Sequence, residues 1–238
     1  MIKMFNLKST ALISLIIALT ISLVFVSHWT NGIVIFDGFS STINKQILYQ
    51  SITLFMTMVF LFVLWLTKRK TFQEYFRKGN LSADILPEPL MGIKPKASEN
   101  WIHLGRNFSI VISGVTAIVI YFQLIRGNGI SIGNILSVLP FSIIFALSNS
   151  FVEESITRLG IVVVLKNVLK DRTIPLVSAL LFGSVHYWGS PGGILGVLVA
   201  GFLGWFLTKS ILETKGVFWA WWIHFLQDVI IISALLLI

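Results

Sequence analysis

The chain has 238 residues, 55% of them hydrophobic and only 12% charged, and a mean hydropathy of +0.88, which excludes an ordinary soluble domain and places it with integral membrane proteins. With no cysteine it has no disulfide framework, no cysteine-based zinc site and no thiol nucleophile. The formal net charge of +8 would suit nucleic acid in a soluble protein, but here the basic residues sit at the ends of apolar runs, so membrane topology accounts for them and no nucleic-acid partner is expected.

Lys3 and Lys8 precede a first apolar run, Thr10 to Ser27, read as an uncleaved anchor because it is long for a signal peptide and no small-residue cleavage site closes it. A second run, Ile47 to Thr67, stops at Lys68-Arg69-Lys70. Residues 68–106 are then expected to be a basic loop with a short amphipathic piece around Phe72 to Phe76. A third span, Phe108 to Ile125, is closed by Arg126-Gly127-Asn128-Gly129, whose composition is that of a turn.

The fourth span is expected to begin near Pro140 and to run unbroken to about Leu169, with Glu153 and Glu154 near its middle. The fifth, Ile174 to Trp188, is broken by Gly189-Ser190-Pro191-Gly192-Gly193, and the sixth runs from Gly193 to Leu207. Along it Gly192, Gly196, Ala200 and Gly204 recur every four residues, a ridge suited to close helix packing. The last span, Gly216 to Ile238, carries Trp219, Trp221 and Trp222 near its start, where an interfacial aromatic belt would lie. The predicted fold class is an all-α polytopic membrane bundle of about seven transmembrane helices. Residues 1–106 form a two-helix membrane region with a basic cytoplasmic loop, and residues 107–238 form the functional core.

Seven spans with a cytoplasmic N-terminus put 15 of the 18 lysines and arginines on the cytoplasmic side. Only Lys45 and Arg126 fall outside, and Arg158 lies within the membrane. The other intramembrane ionisable residues are Glu153, Glu154, His186, His224 and Asp228. Counted from the cytoplasmic ends, Glu153, His186, His224 and Asp228 lie at roughly 12–24 Å depth, in one slab. That agreement predicts a single polar cavity near mid-membrane, reached from the cytoplasmic side.

Spacing assigns partners within this set. Glu154 and Arg158 are i, i+4 and share a helix face, so Arg158 is expected to neutralise Glu154 in a structural ion pair. Glu153, turned about 100° away, is left free for general-base chemistry. Phe182 shares a face with His186, and His224 with Asp228, whose carboxylate can orient the imidazole or point into the cavity. A carboxylate with two histidines is a water-activating set with or without a metal. A zinc-like divalent ion on Glu153, His186 and His224 is one form of it, and the residues leave that choice open.

Glu153-Glu154-x-x-x-Arg158, Phe182-x-x-x-His186 and His224-x-x-x-Asp228 follow one another on successive membrane segments. In that order they resemble the CPBP, or Abi, family of intramembrane proteases, the group of the CAAX prenyl proteases and bacteriocin-processing or immunity proteins, over roughly residues 140–230. The resemblance implies an intramembrane endopeptidase, glutamate protease or metalloprotease, without a covalent enzyme intermediate. In it Glu153 and His186 activate water, while His224 and residue 228 stabilise the oxyanion and Phe182 forms part of the cavity wall. The family often has Asn at the last position. An ionised Asp228 cannot donate to an oxyanion, so it is expected either to carry a proton or to act only by orienting His224.

The expected substrate is a membrane-delivered hydrophobic or lipidated peptide, in a protein of the bacterial plasma membrane whose site opens to the cytoplasm. Two competing readings are a non-catalytic bacteriocin-immunity or membrane-binding protein, and a proton-coupled transporter, which would need polar access from both sides.

Overall fold

The computed structural model describes residues 7–128, 132–189 and 192–238. Lys3, Gly129, Ser190 and Pro191 lie outside the described residues. The helices, in chain order, are α1 (Leu7–Trp29), α2 (Ser41–Tyr75), α3 (Trp101–Ile120), α4 (Ile132–Glu154), α5 (Gly160–Leu165), α6 (Ile174–Val185), α7 (Gly193–Thr214) and α8 (Phe218–Leu237). A π turn, Ser155–Leu159, joins α4 to α5, and another, Tyr121–Ile125, extends α3. Six of the resulting rods are long and apolar enough to cross a membrane. A seventh, Ile174–Trp188, is shorter, about 22 Å against a hydrocarbon core of about 30 Å. The expected all-helical membrane bundle of about seven helices is therefore the fold.

The fourth span differs at both ends from the expectation. It begins at Ile132, with Pro140 inside the helix rather than at its start. Apolar sequence continues on both sides of the proline, and in lipid a continuous helix is what keeps the backbone hydrogen-bonded, so one interior proline is tolerated. The rod ends at Leu165, not near Leu169, because Asn167 adopts a left-handed φ of 69° and Lys166 turns back to pair with Asp171 at 2.7 Å.

Nor is the segment expected as a loop over residues 68–106 loose. α2 kinks at Lys68 (φ −133°, ψ 35°), whose ammonium bonds Ser9, and then continues to Tyr75. Downstream, the chain is stitched to the α7–α8 turn by Asn80 N to Thr214 O (2.7 Å), Val217 N to Arg77 O (2.9 Å) and Trp219 Nε1 to Leu81 O (3.2 Å). Trp219 is thus core rather than interfacial belt. Glu213 accepts from Trp101 Nε1 (2.8 Å), from Leu86 N (3.2 Å) and from Lys209, which also bonds Leu86 O. This buried clamp explains how a charged pair fits inside an apolar helix end: every bond it makes holds the segment over the bundle.

Packing sets the sides of the molecule. Helix directions place Lys8, Lys68, Arg77, Arg106, Lys166 and Lys215 at one end, with Lys45 and Arg126 at the other. At the basic end one apolar cluster draws on α1, α2, α3, the α4–α5 rod, α6, α7 and α8, and includes the fully buried Tyr75, Trp101 and Phe206. The opposite half has only a small cluster around Phe145, Ala146 and Ile232. Close approach of α6 to α7 depends on two glycines: a Cβ on Gly183 would meet Val197 O at 2.8 Å, and one on Gly204 would meet Ser178 O at 2.9 Å. The small-residue ridge is therefore split, for Gly196 and Ala200 face a cavity instead of a helix.

Candidate functional site

The π turn falls on the acidic motif. Such turns insert one residue into an α-helix and frequently mark functional positions. Here the displaced backbone groups are met by hydroxyls: Thr157 Oγ1 donates to Glu153 O at 2.7 Å, and Ser178 Oγ donates to Thr157 O at 2.9 Å. The turn thereby locks to α6 and carries Arg158 into the bundle, where it is fully buried.

Arg158 Nη1 lies 3.1 Å from Glu154 Oε1, and its guanidinium stacks over the Phe182 ring at 3.4 Å. The same Glu154 oxygen accepts from His224 Nδ1 at 2.7 Å. Glu154 therefore both neutralises the arginine and fixes the imidazole from α8. Because a carboxylate only accepts, His224 Nδ1 carries the hydrogen and Nε2 faces the other carboxylates, at 3.6 Å from both Glu153 Oε2 and Asp228 Oδ1. Asn149, one turn before Glu153, completes the set by donating to Glu153 Oε1 (3.1 Å) and to Asp228 Oδ2 (3.0 Å).

The second histidine is fixed by backbone. His186 Nδ1 donates to Phe182 O at 2.8 Å, which leaves Nε2 as the free nitrogen of a ring that lines the cavity. The ring packs on Phe182, centroid to centroid 4.1 Å, and the other edge of Phe182 approaches His224 at 6.0 Å. His186 is close enough to Glu153, Arg158 and His224 to interact with each electrostatically. Three carboxylates face one guanidinium, so the cluster is two positive charges short of balance.

All of Glu153, Arg158, Phe182, His186, His224 and Asp228 line a single cavity of about 500 Å³. Glu154 stands behind it. Ser148, Gln50 and Gln46 form a polar chain on the α2 side, through Ser148 Oγ to Gln50 Oε1 (2.6 Å) and Gln50 Nε2 to Gln46 Oε1 (3.3 Å). Tyr49, on the same wall, sits within electrostatic reach of Glu153 and Asp228. Reasoning from sequence missed Asn149 and this α2 wall. Asn149 had a signal, since i−4 from Glu153 is the same helix face. Gln46, Tyr49 and Gln50 had none, because they lie about 100 residues upstream on another helix.

This geometry bears on two expectations. The cavity was expected to open toward the basic end, yet its walls run from Arg158 and Phe182 to Ser27, Lys45, Leu195 and Leu235, all toward the other end. The reason is packing: at the basic end the large core that contains Tyr75, Trp101 and Phe206 seals the bundle. The metal alternative on Glu153, His186 and His224 stays open beside the metal-free one, although among the described residues no three His, Asp or Glu side chains are grouped so as to hold an ion.

Residues 134–230 match the family described as type II CAAX prenyl endopeptidase Rce1-like. The resemblance drawn from the three motifs is borne out over that segment, which spans α4 to most of α8 and holds Asn149 and the whole of the acidic and histidine cluster. No curated protein and no solved structure matches the chain.

Proposed function

We propose that this integral membrane protein is an endopeptidase that hydrolyses a peptide bond in a hydrophobic or lipidated peptide within the bilayer, with residues 107–238 as its protease core. The observation that carries the reading is a cavity-facing carboxylate, Glu153, beside two imidazoles whose Nδ1 positions are both occupied. Glu153 and His186 Nε2 hold a water and take its proton as the oxygen attacks the carbonyl carbon. His224 Nε2–H, when protonated, and residue 228 face the developing oxyanion. Collapse breaks the C–N bond, and the proton passes to the leaving amine. Asn149 bridges Glu153 and Asp228 by donating to both.

Glu154 and Arg158 act by holding His224 and Phe182 in place, rather than by touching substrate. The chain's own residues supply each step without a metal. The test is cleavage of a quenched hydrophobic peptide library by purified protein, wild type against Glu153→Gln, with and without a strong chelator. The expected result is loss of roughly 10²–10⁴-fold on substitution and indifference to chelator. Loss under both conditions would point to a metal. A wild type that cuts nothing, while Glu153→Gln still retains a bound peptide, would replace the protease by the immunity-type binder.

A further inference from the structure

The cavity's shape and the charge distribution, taken together, say from which side it is filled. Lys8, Lys68, Arg77, Arg106, Lys166 and Lys215 share one end, and basic residues collect on the cytoplasmic side of a membrane protein. The cavity runs away from that end, and the large apolar core closes the cytoplasmic half beneath it.

The ring of helices around the cavity has a seam. α4 packs extensively on α8, α8 on α3 and α7 on α6, whereas α3 and α7 have little backbone contact and meet at the basic end, where Phe108 stacks on Phe206 at 4.2 Å and on Phe202 at 6.3 Å. The two helices run in opposite directions, so seven residues beyond Phe108 and seven before Phe202 bring Val115 opposite Leu195, about 10 Å farther from the cytoplasmic end. Both line the cavity, and both are more than half exposed, 53% and 58%. An opening framed by Val115, Val119, Leu195 and Val199 is apolar and faces lipid, whereas the rim at Lys45 and Gln46 is polar.

We infer that the site is loaded from the non-cytoplasmic half of the membrane, through the seam between α3 and α7, by an apolar peptide segment lying in that leaflet. A chain that slides in from lipid keeps its apolar side chains out of water throughout and meets Glu153 at the floor of the cavity. The identity of the occupant rests on the endopeptidase reading; the side of opening does not.

The natural absence of cysteine allows a direct test. Ser27→Cys and Gln46→Cys sample the cavity away from the lipid-facing seam, and Leu90→Cys, at a 99% exposed position in the basic segment, samples the other side. A membrane-impermeant maleimide on intact cells is expected to label the first two, and to label Leu90→Cys only after lysis. The reverse pattern, or labelling of the cavity set only after lysis, overturns the inference.

The seam is tested with Val115→Cys/Leu195→Cys joined by a reductant-cleavable bifunctional maleimide, in liposomes that carry a membrane-embedded apolar peptide. Cross-linking is expected to slow cleavage roughly tenfold or more, with recovery on reduction. Unchanged cleavage overturns the route. If wild type cleaves nothing, the endopeptidase reading fails, while the labelling pattern still decides the side.

Discussion

Arg158→Met removes the buried cation and keeps an unbranched apolar chain in its place. Arg158 and Glu154 are 0% and 3% exposed, so after substitution Glu154 keeps the His224 N–H bond but loses its guanidinium in a dry setting. Breaking a buried ion pair from one side costs about 3–5 kcal/mol. Loss of the guanidinium stacked 3.4 Å over Phe182 adds about 2 kcal/mol when desolvated. Against this, Nε and Nη2 of Arg158 have no hydrogen-bond partner among the described residues, and methionine removes that burden, about 1–3 kcal/mol. The net loss is roughly 2–6 kcal/mol, which lowers Tm by roughly 4–24 °C in a chain of this size. The assay is thermal unfolding in a single detergent, wild type against Arg158→Met and the double variant Glu154→Gln/Arg158→Met. The double variant should recover part of the loss, because the stranded carboxylate is gone. A single variant melting within about 2 °C of wild type, or a double variant showing the plain sum of both losses, would refute the account of Glu154 and Arg158 as one buried unit.

Asn149→Leu leaves Glu153 and Asp228 without their shared donor; peptide cleavage should fall roughly 10–100-fold while the protein still elutes as a folded species, since charge-assisted bonds of about 1.5–3 kcal/mol are lost at the reacting groups. Asp228→Asn should keep most of the cleavage rate, because the amide can donate where an oxyanion forms, and Asp228→Leu should lose it; equal loss in both would remove the donor role from position 228. Glu213→Leu strands Lys209 and the Trp101 N–H, at a cost of about 3–5 kcal/mol, and limited trypsin digestion should then cut faster at Arg77, Lys78 and Lys96. Gly204→Val must push α7 off Ser178 O, so Tm should drop by an amount equivalent to about 1–3 kcal/mol.

Some of the site was legible because it is local. Glu154 and Arg158 are one turn apart on one rod, and His224 and Asp228 one turn apart on another, so helix geometry alone puts each pair on a common face. The rest was decided between helices. Nothing in α8 says that His224 Nδ1 will be taken by Glu154 instead of Asp228; that follows from how α8 crosses α4. The π turn at Ser155–Leu159 was equally hidden, since it depends on Ser178 of α6 capturing the Thr157 carbonyl. The ordered state of residues 76–100 depends on Glu213 and Lys209, which in sequence read only as the polar end of an apolar span.

By itself the sequence determined the solvent of this protein, its approximate number of spans, the side on which its charges lie and the order of its motifs, because hydropathy and the cost of charge in lipid act residue by residue. Tertiary structure alone decided which way the cavity faces. Depth along each helix is a one-dimensional quantity and placed Glu153, His186, His224 and Asp228 in one slab. Which end of that slab is open depends instead on where Tyr75, Trp101 and Phe206, from three separate helices, fill the space between the rods.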